Sequence, residues 1–115
     1  MKNETENLAN TLSWTCGMVL QSSPDDRQRI ASAYQEAQQF VATISPDNGN
    51  MRPRIVACFE RSDAYRAGDD IACVGWILTA IQERVNERNL PDWRKLRKVI
   101  NNTVKLLPLS ESTLH

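Results

Sequence analysis

Histidine is almost missing from this chain: the single one, His115, is the last residue. That removes the positioned imidazole on which a Ser-His-Asp triad, a Cys-His pair, an HExxH zinc site and most transition-metal centres depend. Cysteine is scarce and poorly spaced for linkage. Cys16, Cys58 and Cys73 are odd in number and form no CxxC pair, which argues against a disulfide framework and against a zinc knuckle, and leaves them as reduced core residues. There is no Gly-rich phosphate loop. No stretch has the uninterrupted apolar length needed to span a bilayer, and the opening MKNETENLAN lacks the apolar run of a secretory signal. The expectation is a cytoplasmic protein with no bound metal, no cofactor and no membrane association.

Glycine and proline are sparse as well, with four and five in 115 residues. The intervals between them suit helices better than the short strands of a sandwich. Hydrophobic residues at 41% and charged residues at 24% are ordinary for a globular chain. The reading is one all-α domain over residues 1–115, with a loose tail from about residue 109.

Apolar positions recur at helical spacing in five segments. The first runs from about Thr5 to Leu20, with Leu8, Leu12, Cys16 and Val19 on one stripe. The second opens at SPDD: Ser23 caps, Pro24 suits the first helical position, and Asp25 and Asp26 favour the positive end of the helix dipole. Its stripe is Ile30, Tyr34, Ala37, Val41 and Ile44. After the turn formers Asn48, Gly49 and Asn50, a third helix is predicted from Pro53 to Ala67, with Ile55, Val56, Phe59 and Tyr65 inward and Gly68 closing it. Asp69 then caps a fourth helix, about 70–88, with Ile71, Val74, Leu78, Ile81 and Val85 on its stripe. Asn89 and Pro91 mark the turn into a fifth, whose stripe is Trp93, Leu96, Ile100, Thr103 and Leu107 and which Pro108 stops.

The fourth helix differs from the others because IACVGWILTAI, Ile71 to Ile81, carries no charge on any face. A helix apolar all round is surrounded by other helices. The predicted architecture is therefore a compact bundle of about five helices, the first, second, third and fifth packed about a central fourth.

Charge is balanced over the chain, at fourteen basic and fourteen acidic residues, but not along it. The stretch LPDWRKLRKVINNTVKLLP, residues 90–108, holds five basic side chains and one acidic, leaving nine and thirteen elsewhere. At about 100° per residue, Arg94, Arg97 and Lys98 fall opposite Leu96 and Ile100, with Lys95 toward one flank. Such a patch suits nucleic acid or an acidic protein. In a helix-turn-helix reading, the fourth and fifth helices would present DWRKLRK to the major groove. Against that stand a sequence pI near 6.6 and the position of Trp93 on the core stripe, away from the arginines.

Trp14 and Met18 of the first helix lie one turn apart, opposite its apolar stripe. Tryptophan buries roughly 200 Å², worth up to ~5 kcal/mol before entropy losses, so exposure on this face needs a reason. Three explanations compete: the first helix is sandwiched between others, the chain self-associates through this face, or Trp14 and Met18 anchor another protein. Carboxylate pairs a helical turn apart, Glu60 with Asp63 and Glu83 with Glu87, are the remaining catalytic candidates. Each has arginines beside it, so surface ion pairing is the simpler reading.

The sequence thus reads as a small non-catalytic adaptor, inhibitor or other regulator that binds a protein through Trp14 and Met18 or through Arg94, Lys95, Arg97 and Lys98. The alternative is a nucleic-acid-binding regulator that uses the same four cations.

Overall fold

A computed structural model describes residues 4–44, 52–87 and 93–109. Six helices account for most of these: α1 (Glu4–Gln21), α2 (Pro24–Thr43), α3 (Arg52–Glu60), α4 (Asp63–Ala67), α5 (Asp70–Glu87) and α6 (Trp93–Val104). The fold is an all-α bundle. The predicted turn at 48–50, the turn around Asn89 and Pro91, and the tail beyond 109 lie outside the described residues.

Local chemistry sets the helix ends. Ser23 sits in extended geometry and accepts a hydrogen bond from Asp26 N–H at 3.2 Å, with Pro24 in the first turn, as SPDD predicts. Gly68 closes α4 at φ 64°, the left-handed conformation that glycine adopts without steric cost. Asp69 then accepts from Ala72 N–H at 3.1 Å and starts α5. The carbonyls at the C-terminal end of α1 are met from the next helix: Arg27 donates to Val19 O and Leu20 O, each at 3.0 Å.

The predicted third helix is two helices. Ser62, extended at φ −75° and ψ 157°, accepts from Tyr65 N–H at 3.2 Å and restarts the chain as α4. A capping serine here outcompetes continuation of the helix. Two expectations of inward packing fail with it: Val56 and Tyr65 are exposed. The nine-residue α3 presents only a narrow stripe to α2 and α5, with Ile55 buried and Cys58 and Phe59 beside it. Val56, about 100° from Ile55, falls outside that stripe. Tyr65 instead sets its ring edge-on to Phe59, with centroids 5.2 Å apart.

Helix α5 touches each of the other five helices and is the pillar its uncharged sequence predicts. Its closest neighbour is α2, and the crossing centres on Gly75. Between α1, α2, α5 and α6 lies the main core, built on Leu12, Val19, Ile30, Val74, Leu78 and Ile100. A second core joins α2, α3 and α5 around Ile55 and Trp76, whose indole is only 3% exposed.

The buried threonine hydroxyls of the core are met locally. Thr15, Thr79 and Thr103 are fully buried, and their hydroxyls donate to the carbonyls of Thr11, Gly75 and Val99 one turn back, at 2.8, 3.0 and 2.8 Å. Tyr34 donates to Gln82 Oε1 at 2.8 Å, while burial pushes its phenol pKa above the ordinary value.

Candidate functional interface

Four of the sequence-predicted site residues lie together on α6, beside the face it shares with α1. The strongly amphipathic α6 buries Leu96, Ile100 and Thr103 and turns Arg94, Lys95, Arg97 and Lys98 to solvent. No acidic residue occurs in α6, and none occurs in α1 after Glu6. The positive field of those four cations is therefore not cancelled by either helix that forms the face.

Between the two helices runs an apolar groove of about 480 Å³. Leu12, Cys16, Gly17 and Leu20 line it from α1, and Lys95 and Val99 from α6. Leu20 is 56% exposed and Val99 39%. A side chain at Gly17 would meet nothing within 4 Å, so the missing Cβ leaves that wall open to an incoming group. Lys95 belongs both to the groove and to the basic face, which makes the two features continuous.

Trp14 and Met18 part company. Met18 is half-buried and packs against the main core. Trp14 is 52% exposed on the outer side of α1, one turn from Gly17. Sandwiching therefore accounts for Met18 and not for Trp14, because no helix covers that side of α1 among the described residues.

Trp93 also departs from expectation. It packs against the core as its stripe position requires. Yet the guanidinium carbons of Arg94 and Arg97 lie 5.5 and 5.1 Å from its ring centre. The indole stands among the arginines after all, because a helix residue half-buried at the rim offers one ring face to its i+1 and i+4 neighbours. Arg97 is held further by donation to Asn86 Oδ1 at 2.6 Å. Stacking and hydrogen bonding limit the rotamers of both arginines, which lowers the entropy lost when they meet a partner.

The Glu60 and Asp63 carboxylates are not presented from one helix. Glu60 ends α3 and Asp63 begins α4, so the break at Ser62 takes them off a common helical turn. Asp63 pairs instead with Arg66 at 3.3 Å on an open surface. The side chain of Glu87 lies outside the described residues. Burial, with Asp63 nearby, raises the Glu36 carboxyl above its ordinary pKa in a shallow cleft where Arg29 bridges Asp26 and Asp69. Among the described residues, no three His, Cys, Asp or Glu side chains come together as a metal set. No described helix is long and apolar enough to cross a membrane.

Leu20, Val99 and Gly17 escaped prediction as site residues. For Leu20 and Gly17 the signal lay in the uncharged run from Asn7 to Gln21, which is longer than one buried stripe of a helix can use, whereas Val99 of α6 carried no such signal. Comparison with known protein families, with curated proteins and with solved structures found no match to this chain.

Proposed function

We propose that this protein acts by binding an acidic protein segment across the α1–α6 face, and that it is a non-catalytic regulator, adaptor or inhibitor working in the cytoplasm. One observation carries the reading: an open apolar groove lined by the exposed Leu20 and Val99 runs into Lys95, one of four solvent-facing cations, with no acidic side chain on either helix beyond Glu6. The apolar part supplies anchorage and the cations supply steering and selection. An amphipathic helix with acidic flanks matches both parts. A second copy of this chain matches less well, since a two-fold contact through this face would bring like charges together. Free thiols at Cys16, Cys58 and Cys73 suit the reducing compartment proposed.

Capture from native lysate tests it, using wild type, W14E/L20E and R94E/K98E, each with and without nuclease. A protein retained by wild type after nuclease and lost by both variants supports the reading. Equal capture by all three overturns it.

A second reading, nucleic-acid binding through α6, is favoured by the four exposed cations near the start of that helix. Contact with four phosphates would weaken binding to a labelled oligonucleotide by about two orders of magnitude between 50 and 200 mM salt. A flat salt response sinks that reading.

A further inference from the structure

A second cleft lies on the other flank of α1, where it crosses α5 in antiparallel fashion. Its volume is about 530 Å³, within the range of small-molecule sites. Leu8, Ile77, Ala80 and Ile81 form an apolar floor, and Asn7 and Thr11 edge it. One end is closed by Arg84, whose side chain is only 16% exposed and whose guanidinium pairs with the Glu4 carboxylate.

A guanidinium taken so far out of water holds a carboxylate strongly. The one it holds belongs to the first turn of α1, where helix ends open most readily. Glu4 therefore shows which chemistry this end of the cleft accepts, and it can be exchanged without disturbing the core. From Arg84 to Ile77 the floor extends seven residues along α5, about 10 Å at 1.5 Å per residue.

We infer that this cleft binds a small amphipathic monocarboxylate, of the size of a medium-chain fatty acid, with its carboxylate replacing Glu4 on Arg84 and its alkyl chain along Leu8, Ile77 and Ile81. Glu4 acts as an internal competitor that keeps affinity modest until a ligand displaces it. This site shares no lining residue with the α1–α6 groove, so it stands or falls independently of the binding reading above.

The test is titration of the full chain with octanoate below its micelle concentration, followed by amide NMR shifts and calorimetry, with octylamine as the apolar control of opposite charge. Wild type should show saturable shifts around Leu8, Ile77 and Ala80. E4Q should bind about tenfold more tightly, R84Q at least tenfold more weakly, and octylamine should not bind. T11W, which fills the cleft from its exposed edge and leaves the ion pair intact, should abolish binding while the helical signal stays unchanged; it serves if R84Q does not fold. Absence of saturable shifts in both wild type and E4Q, binding insensitive to T11W, or equal binding of octylamine each overturns the proposal.

Discussion

The carbonyl oxygen of Ile30 in α2 occupies the space that a side chain at Gly75 of α5 would need. A methyl group there would stand 2.5 Å from that oxygen and 2.6 Å from the Tyr34 backbone nitrogen. Both obstacles are backbone, so neither can turn aside as a side chain would.

Replacing Gly75 with alanine should therefore destabilise the protein by roughly 1–3 kcal/mol or more, although alanine is the better helix former by about 1 kcal/mol. Gly17 provides the control, since nothing lies within 4 Å of its missing side chain. G17A should stabilise by up to about 1 kcal/mol. Urea denaturation of the two variants measures both; equal effects would show that α2 and α5 do not cross so closely.

Trp76 lies between Phe40 and Phe59, each 5.7 Å away by ring centre, and its Nε1 is buried without a hydrogen-bond partner among the described residues. An unmet buried donor costs about 1–3 kcal/mol. W76F removes that penalty while leaving a small void, so it should fall within about 1 kcal/mol of wild type, whereas W76A should lose roughly 3–5 kcal/mol. A large loss in W76F, read from thermal or urea unfolding, would show that the indole nitrogen is in fact satisfied.

Burial would raise the Asp69 carboxyl, but the Ala72 N–H and the Arg29 guanidinium outweigh it and hold the pKa below its ordinary 3.8. A depressed carboxyl contributes stability above the unfolded-chain value and loses it as pH falls through the lower folded one. Stability should thus decline below about pH 4 in wild type, and D69N should flatten part of that decline. D69A should lose about 1 kcal/mol at neutral pH as α5 loses its cap, with D69N losing less because asparagine also caps. Unfolding curves from pH 2 to 7 decide it.

Trp14 and Met18 should separate in the same assay. W14A should leave stability nearly unchanged, because half of the indole already meets water. M18A should cost about 1 kcal/mol or more, because the thioether side chain packs against the main core and its removal leaves a void there. Comparable losses in both would mean that α1 is covered on its outer side.

Much of the bundle was legible from local rules. The stripes of α1, α2, α5 and α6, the caps at Ser23, Gly68 and Asp69, and the central place of α5 follow from 3.6-residue periodicity, side-chain hydrogen bonding and the absence of charge from Ile71 to Ile81. These are properties a segment carries with it. The break at Ser62 was also local, yet two structures competed for the same residues and periodicity alone favoured the wrong one.

What the residue order could not convey was which flanks of α1 stay uncovered. Trp14 and Met18 sit one turn apart and look equivalent in sequence, but only Met18 meets the main core. Likewise the α1–α6 groove and the Glu4–Arg84 cleft exist because helices distant along the chain leave space between them. Periodicity reports the direction a side chain takes from its own helix axis. Burial depends on where the neighbouring axes pass, and that is settled by the packing of all six helices together.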